Sequence, residues 1–491
     1  MLFNSYAFIF LYLPVVLLVF FQLSRIGAPY AAGWLGLSSL FFYGYWNPAY
    51  IGLLLGSISC NYAFGSWIAK AGVRDDAKRK KQLLIASITV NLLLLGYYKY
   101  AHFFLDSINE LMESHLTLGQ IILPLGISFF TFTQIAFLVD TYQGKVKEYN
   151  FIHYLLFVTY FPHLIAGPIL HHKEMMPQFA LKKNYQLNWQ NMANGLMLFT
   201  LGLCKKTLWA DSLAPYANAI FDAAHRGVLL TTYEAWSGAL AYTLQIYFDF
   251  SGYTDMALGI ALMFNIHLPI NFNSPYKSTS IIDFWRRWHM TLSRFLRDYL
   301  YIPLGGNRKG KLRRYANLMV TMLLGGLWHG AGWTFVLWGA LHGIYLTINH
   351  LWREWLLDQS TRLLPSWFTT FVAGALTFIA VVASWVLFRS TDITQATAML
   401  KAMFGLAARP ISFTDVTHGQ LLINTSLHGR DLFELLLLAL AWVWLLPNST
   451  RLKFMDRNFI MAAGQAVAVV YFLYLAIDHF GRYSPFLYFQ F

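Results

Sequence analysis

Long apolar runs separated by short polar segments account for most of this 491-residue sequence. A helix needs about 20 apolar residues to cross the hydrocarbon core of a bilayer, and many of the runs approach that length. We therefore predict an all-α, polytopic integral membrane protein, organised as one membrane domain over residues 1–491. About 11–13 membrane helices fit this length, some of them short, interfacial or re-entrant. The apolar runs are 5–21, 31–46, 51–69, 83–98, 118–139, 151–170, 192–203, 235–247, 256–266, 318–348, 369–387, 432–446 and 459–477.

The charged residues between the runs predict a topology. The run 5–21 has no basic segment before it and no clear cleavage site, so we expect a retained helix rather than a signal peptide. Arg25 and the basic run 74–81 lie two spans apart, and the positive-inside rule places both in the cytoplasm. The basic residues within 451–457 favour a cytoplasmic loop before the last span. Both termini are therefore expected outside.

One apolar run does not fit simple alternation. Lysines flank the run 151–170 on both sides, and Pro162, Gly167 and Pro168 interrupt it. Irregular backbone at membrane depth is tolerated only where protein covers it or where it lines a cavity. We predict a broken or re-entrant helix here.

Composition narrows the class of protein. Charged residues make up 12% of the chain and hydrophobic residues 57%, whereas soluble domains carry roughly 25% charged residues. This excludes an ordinary soluble enzyme, a disordered protein and a disulfide-stapled secreted domain. Cys60 and Cys204 have no CxxC partner, so packing is expected of both and no metal site is predicted.

The positive charge is concentrated in one segment. Two acidic residues, Asp283 and Asp298, oppose ten basic ones there, which accounts for more than half of the net charge of +13. One interpretation is a cytoplasmic loop that contacts anionic headgroups. The other is a docking surface for an anionic cytoplasmic donor, such as a coenzyme A thioester or an acidic carrier protein. The basic residues are Lys277, Arg286, Arg287, Arg294, Arg297, Arg308, Lys309, Lys311, Arg313 and Arg314.

The first part of this basic segment also carries large apolar side chains. Phe284, Trp288 and Phe295 lie at near-helical spacing, which predicts an amphipathic helix at the membrane interface. Such a helix would place His289 at the border between lipid and cytoplasm.

A histidine inside an apolar run is the strongest sign of chemistry. His329 lies within 318–348, and an ionisable group at that depth is costly, which favours a functional role. The pairs Gly326/Gly330 and Gly339/Gly343 have the spacing that allows close helix approach. A buried histidine that hydrogen-bonds a neighbouring helix is the alternative. On a regular helix His342 would point about 140° away from His329, so we expect it to be structural.

Few other catalytic signals accompany His329. The sequence contains no GxSxG, HExxH, GxxxxGK[ST] or GxGxxG pattern, so a general base acting on a hydroxyl is the simplest role for the histidine. Asp249 and Asp255 lie near a predicted span boundary. They could orient a histidine or a substrate hydroxyl, although pairing with an arginine is favoured.

Several motifs together resemble a known family. They are Trp288-His289, RDYLYIPLGGN at 297–307, Trp328-His329-Gly330, LPLGISFF at 123–130, YFPHLIAGPI at 160–169 and YFDFSGY at 247–253. In this order they resemble the membrane-bound O-acyltransferase (MBOAT) superfamily, and within it the bacterial branch of the alginate O-acetyltransferase type. The resemblance extends over nearly the whole chain.

The resemblance implies a fold, a reaction and partners. The fold would be a ring of tilted helices around a thinned centre, with a funnel leading to the buried histidine. His329 would be catalytic and His289 a supporting histidine. The donor would be cytoplasmic acetyl-CoA, with no bound cofactor, and the protein would lie in the bacterial inner membrane with both termini periplasmic. A periplasmic SGNH-type partner would pass the acetyl group to an exported or cell-surface polysaccharide such as alginate.

Two further groups of site residues are predicted from the basic segment and the motifs. Donor binding is assigned to Trp285, Arg286, Arg287, Trp288, Arg294, Arg297, Arg308 and Lys309. Lining of the acyl tunnel is assigned to Trp328, Gly330, Trp333, Asp249, Ser251 and Tyr253.

The chain ends in an aromatic segment, SPFLYFQF at 484–491. Related bacterial systems carry a similar C-terminal motif. By that resemblance we hypothesise that Tyr488 accepts the acetyl group and hands it on to the partner. An aromatic belt at the membrane interface is the alternative.

Other functions fit parts of the pattern. A D-alanyl (or other acyl) transfer protein of the teichoic-acid type would take its acyl group from a carrier protein. A polysaccharide or acyl transporter without chemistry would need paired carboxylates or coupling-ion sites in several spans, and the sequence has few. A nucleic-acid-binding protein is the weakest alternative, since its basic face would not be embedded in a polytopic chain.

Overall fold

A computed structural model describes residues 1–146, 150–357, 365–407, 429–454, 459–481 and 486–487. These residues are overwhelmingly helical, and no β-strand is found among them. They form two compact units, each assembled from distant parts of the chain. The first comprises 1–203, 253–270 and 453–480, and the second comprises 204–252, 271–452 and 481–491. The single domain expected over 1–491 stays a prediction.

The first unit contains most of the N-terminal helices. Its α-helices are Leu13–Ile26, Ala28–Gly44, Ala49–Val73, Ala77–Leu95, Ala101–Met112, Ile127–Tyr142, Phe151–Thr159, Phe161–Leu164, His172–Ala180, Trp189–Cys204 and Phe459–Asp478. A wider π-helical turn at Ala7–Tyr12 precedes the first of these helices, and another at Gly96–Tyr100 joins Ala77–Leu95 to Ala101–Met112. Lys182–Tyr185 and His479–Gly481 are 3₁₀ turns.

The second unit contains the central basic segment and the predicted catalytic residues. Its α-helices are Asp211–His225, Ile281–Trp285, Met290–Leu296, Lys311–His329, Trp333–Leu357, Ser366–Arg389, Ile393–Met403 and Gly429–Leu445. Lys205–Ala210 and Arg297–Tyr301 are π-helical, and Pro275–Lys277 and Ser449–Arg451 are 3₁₀ turns. The long helix Thr232–Met263 contributes residues to both units.

Five helices in the described parts of the chain are long and apolar enough to cross a membrane. They are Ala7–Ile26, Ala49–Val73, Ala77–Met112, Ser366–Arg389 and Ile460–Asp478. Only 6% of the window in the last helix is buried by protein, although its mean hydropathy is 2.0. Apolar surface exposed on that scale is stable only where lipid replaces water, so this is a membrane protein. The total of 11–13 membrane helices stays a prediction.

The break predicted within 151–170 is confirmed. The side chain of Asn150 caps the first helix by accepting from two backbone amides, and that helix ends at Thr159. Tyr160 then leaves helical geometry, with φ −50° and ψ 111°, before the short helix Phe161–Leu164 begins with Pro162 in its first turn. This irregular backbone is buried by surrounding side chains, as backbone at membrane depth must be.

Two predicted helix boundaries were wrong. The runs 235–247 and 256–266 form the single helix Thr232–Met263, whereas the run 318–348 is divided between two helices. Hydropathy dips at the charged residues 249 and 255, but buried partners for Asp249 (described below) keep the backbone helical there. The glycines around residue 330 break the longer run.

Candidate active site

His329 is the last residue of the helix Lys311–His329. Gly330 follows with extended backbone, φ −159° and ψ 148°, and the next helix begins at Trp333. The histidine therefore lies at the turn of a helical hairpin rather than inside one continuous helix. It is 4% exposed, so the predicted burial is confirmed.

Glycines allow the two helices of this hairpin to approach closely. A Cβ atom on Gly326 would lie 3.1 Å from the Cα of Gly339 and would overlap the carbonyl oxygen of Phe335. A Cβ on Gly330 would overlap the ring of Phe335. The close approach predicted from the glycine spacing is confirmed, and it sets the position of the histidine at the helix end.

His289 lies between the helices Ile281–Trp285 and Met290–Leu296. Its φ of 42° is in the left-handed region, which costs a non-glycine residue about 1 kcal/mol or more. Its side chain is 0% exposed. The prediction of one amphipathic interfacial helix with His289 at the lipid border was therefore wrong. The apolar spacing reflects burial of two short helices, because Phe284 and Phe295 both lie in the protein interior.

Asn271 determines which nitrogen of His289 carries the proton. Its side-chain oxygen accepts from the Thr291 amide at 3.2 Å and from the Thr291 hydroxyl at 2.9 Å. The same oxygen lies 3.1 Å from Nδ1 of His289. Since an oxygen only accepts, Nδ1 of a neutral His289 is the donor and the lone pair lies on Nε2. The backbone holds Asn271 in place, because its carbonyl accepts from the amide of Met290 at 3.0 Å.

The two histidines share one aromatic environment. Their ring centroids are 6.3 Å apart. Trp328 lies 5.0 Å from the His329 ring and 6.0 Å from the His289 ring. Trp338 and Phe388 are 5.1 and 5.2 Å from His329. Apolar rings on several sides keep bulk water from the imidazoles, which strengthens electrostatic interactions with a bound substrate.

His342 has hydrogen bonds on both ring nitrogens. The indole N–H of Trp285 donates to Nδ1 at 3.3 Å, so Nε2 carries the proton and donates to the Ser384 hydroxyl oxygen at 3.0 Å. The angular argument that separated His342 from His329 assumed a continuous helix and does not apply. The hydrogen bonds nevertheless favour the structural role expected of His342.

Residues from the C-terminus reach the same environment. The ring of Phe250 lies 4.8 Å from that of His289 and 6.0 Å from that of Phe486. The amide of Leu487 donates to Oδ2 of Asp249 at 3.0 Å. Tyr488, the predicted acyl relay, lies outside the described residues and follows Leu487 directly in the chain.

Asp249 belongs to a buried charge cluster. Its Oδ1 lies 2.7 Å from Nζ of Lys206, and the same nitrogen lies 2.8 Å from Oδ1 of Asp211. All three side chains are almost completely buried. The partner of Asp249 is therefore a lysine rather than the favoured arginine.

The predicted donor-binding residues divide by exposure. Arg286, Arg297, Arg308 and Lys309 are exposed, and Arg294 is half-buried. The four exposed side chains are accessible to a soluble anion, and Arg297 is also paired with Asp298 at 2.7 Å.

The remaining three predicted donor-binding residues are less accessible. Trp288 is 1% exposed and packs against other buried rings, including that of Trp385 at 4.8 Å. Trp285 is engaged with His342 as described above. Arg287 is half-buried and forms an ion pair with Asp283 at 2.9 Å. For Trp288 the structure supports packing rather than contact with a cytoplasmic donor.

The residues predicted to line the acyl tunnel differ in their location and exposure. Trp328 and Gly330 adjoin His329, and Ser251 is buried in the same unit. Trp333 is 53% exposed at the start of its helix. Tyr253 belongs to the first unit, where its ring stacks on that of Phe3 at 4.8 Å. In the described parts of the chain, no group of three or more potential metal ligands is found.

Sequence reasoning missed several residues of this site. Asn271 carried no recognisable signal, because an asparagine in a loop is common. Phe250 lies in the motif YFDFSGY at 247–253, but no role was assigned to it. Lys206 did carry one, since a lysine directly after an apolar run can be buried if a carboxylate is present.

Comparison with known proteins identifies the family. Residues 127–388 match the profile of MBOAT, the membrane-bound O-acyltransferase family. The chain belongs to this family. The match includes both histidines of the site.

Close relatives are similar over most of the chain. A peptidoglycan O-acetyltransferase of Helicobacter pylori is 42% identical over 487 residues, covering 92% of this chain and 90% of the relative. A Pseudomonas aeruginosa protein named "probable alginate O-acetylase AlgI" is 43% identical over 417 residues, covering 84% and 76%. A teichoic acid D-alanyltransferase of Bacillus subtilis is more distant, at 29% identity over 270 residues, covering 52% and 65%. This MBOAT protein is therefore an acyltransferase enzyme of the membrane.

Proposed function

We propose that this MBOAT protein transfers an acetyl group from cytoplasmic acetyl-CoA across the inner membrane for O-acetylation of an exported or cell-surface glycan. The observation that carries the proposal is the pair of buried histidines, whose rings lie 6.3 Å apart among apolar side chains. Alginate and peptidoglycan are the acceptors named for its similar relatives. The greater distance of the D-alanyltransferase makes a carrier-fed D-alanyl transfer the weaker candidate.

His329 acts as the general base in this proposal. It takes the proton of an attacking hydroxyl as the oxygen bonds to the thioester carbonyl carbon. The C–S bond then breaks, and coenzyme A leaves as the thiol after receiving that proton. The turn after His329 places the imidazole at the end of a helix, where a substrate can reach it without passing through the helical backbone.

His289 supports this reaction as a neutral imidazole. Because Asn271 accepts from Nδ1, the lone pair of the neutral ring lies on Nε2, on the other edge of the ring. This edge can accept a hydrogen bond from the attacking hydroxyl or orient it toward His329.

The basic segment supplies the donor side. The exposed side chains of Arg286, Arg297, Arg308 and Lys309 attract the phosphates of coenzyme A at the cytoplasmic surface. A ring of tilted helices with a thinned centre would shorten the path from that surface to the histidines. Both chain termini then lie in the periplasm.

Tyr488 is the first acceptor in this proposal. Its hydroxyl attacks the thioester, and the resulting phenyl ester transfers the acetyl group to a periplasmic SGNH-type partner, which regenerates the phenol. The placement of Phe486 and Leu487 beside Phe250 and Asp249 supports this role, because these residues immediately precede the tyrosine.

The proposal is tested with the full-length protein in proteoliposomes supplied with acetyl-labelled acetyl-CoA. We expect His329→Gln to reduce coenzyme A release by at least about 100-fold, which is the lower range of general-base contributions. His267→Gln, at an exposed histidine of the first unit, should retain wild-type activity. Undiminished coenzyme A release by His329→Gln would refute the assignment. With an SGNH-type partner and both glycans added, label found only on alginate or only on peptidoglycan would identify the acceptor.

A further inference from the structure

The C-terminal segment is held by its backbone. The amide of Leu487 donates to Oδ2 of Asp249 at 3.0 Å, although the two residues are 238 positions apart in the sequence. Both residues are buried. A hydrogen bond from an amide to a buried carboxylate is charge-assisted and about twice as strong as a neutral one.

Asp249 is itself held in position. Lys206 contacts its other oxygen at 2.7 Å and also contacts Asp211 at 2.8 Å. A carboxylate has about four acceptor positions. The ion pair with Lys206 thus restrains Asp249 while leaving Oδ2 available for the Leu487 amide.

The neighbouring residue directs the same segment toward the histidines. Phe250 follows Asp249 on the helix, and its ring contacts the rings of both Phe486 and His289, at 6.0 and 4.8 Å. One helical position therefore binds the backbone of the segment while the next binds its side chain. Two contacts at consecutive positions set the register of the segment, because a shift by one residue would lose both.

We propose that Asp249 is a positioning residue that docks the C-terminal segment beside the histidine pair through the Leu487 amide, with Lys206 orienting the carboxylate. The inference rests on the proposed function only in that the docked segment delivers Tyr488. Docking itself does not require that Tyr488 carry an acetyl group. Asp249 contacts neither donor nor acceptor in this role and acts through the segment.

Docking is measured directly by carboxypeptidase A digestion of the full-length protein, with intact mass as the readout. We expect release of the terminal residues Phe489, Gln490 and Phe491 to be faster when Leu487 is detached from Asp249, so the rate of release reports docking. We expect Asp249→Asn to accelerate release about tenfold or more, in proportion to the loss of one charge-assisted hydrogen bond. Asp211→Asn is the matched variant, since it removes the other ion pair of Lys206. It should change the rate by less than about threefold.

A second pair of variants alters only the segment. Leu487→Pro removes the amide hydrogen, whereas Leu487→Ala keeps it and loses a similar amount of side chain. We expect Leu487→Pro to accelerate release as Asp249→Asn does, and Leu487→Ala to do so much less. The double variant Asp249→Asn/Leu487→Pro should digest no faster than either single variant, because both remove the same interaction.

Kinetics separate positioning from general loss of structure. Asp249→Asn should lower kcat for acetyl transfer at least about tenfold and leave KM for acetyl-CoA unchanged, since the donor surface is intact. Equal digestion rates for wild type, Asp249→Asn and Leu487→Pro would overturn the inference. If Tyr488→Phe retains full transfer, the relay in the proposed function fails, and the digestion results still decide the docking.

Discussion

Substitution of Gly326 by alanine tests whether the glycine hairpin positions His329. The new Cβ would fall closer than 3.0 Å to the carbonyl oxygen of Phe335 and 3.1 Å from the Cα of Gly339. Both of these atoms belong to the backbone, so no side-chain rotation relieves the overlap. Carbon contacts are optimal at about 3.5–4.0 Å, so the helices must separate by about 1 Å.

The expected magnitude follows from two opposing terms. Overpacking of this kind costs about 1–3 kcal/mol, whereas alanine is favoured over glycine in a helix by about 1 kcal/mol. The net loss of stability is therefore modest, at most about 2 kcal/mol. The effect on catalysis is larger, because His329 lies one turn beyond Gly326 and a 1 Å misplacement can cost about 100-fold in rate.

The assay compares thermal unfolding in detergent with acetyl transfer in proteoliposomes. We expect Gly326→Ala to reduce kcat by about 10- to 100-fold while the protein stays folded. Gly332→Ala is the matched control, since its nearest neighbour would be 3.5 Å away, an ordinary contact. It should stay within about twofold of wild type. Wild-type activity in Gly326→Ala would refute the idea that close helix approach sets the position of His329.

Three further predictions concern other parts of the second unit. Asn271→Ala should lower kcat about tenfold or more, because His289 loses the acceptor that sets its tautomer. Asn271→Asp keeps an oxygen and should retain more activity than Asn271→Ala. Equal kcat values for Asn271→Ala and the wild type would contradict this role of Asn271. Neutralising Arg308 and Lys309 together should raise KM for acetyl-CoA and weaken the dependence of KM on salt. An unchanged kcat is the control. An unaltered KM would contradict the role of these residues in donor binding. Asp392 caps the following helix by accepting from a backbone amide at 2.8 Å, and this bond is the main reason its carboxyl pKa is lowered. Asp392→Ala should therefore destabilise that helix by about 1 kcal/mol, measured by hydrogen exchange, and Asp392→Asn should destabilise it much less. In the wild type this stabilisation is present above the unfolded pKa of about 3.9 and is lost as the pH falls through the lower pKa of the folded state.

Local patterns in the sequence were sufficient for the class of protein and for part of the site. Apolar runs predicted membrane helices, because a bilayer requires about 20 apolar residues at each crossing. The histidine within such a run predicted a buried functional group, and its burial is confirmed. The prolines and glycine within 151–170 predicted the break that is observed there. Each of these inferences depends on residues that are neighbours in the chain.

The same local reasoning failed where a polar residue has a distant partner. Asp249 was placed at a helix boundary because a charge interrupts the apolar run. Lys206 neutralises it inside the protein, and the helix continues. His289 was placed at the membrane surface because the spacing of Phe284, Trp288 and Phe295 predicted one amphipathic interfacial helix. Two short helices and a left-handed turn instead carry it into the interior.

Composition and spacing over a few helical turns are enough to show a membrane protein, the concentration of positive charge in one segment and the burial of His329. The hydrogen-bond partner of His289, the ion pair of Asp249 and the position of Leu487 follow only from the tertiary structure. These depend on contacts between residues up to 238 positions apart. Hydropathy and helical periodicity describe one segment at a time, so they contain no information about which segments meet.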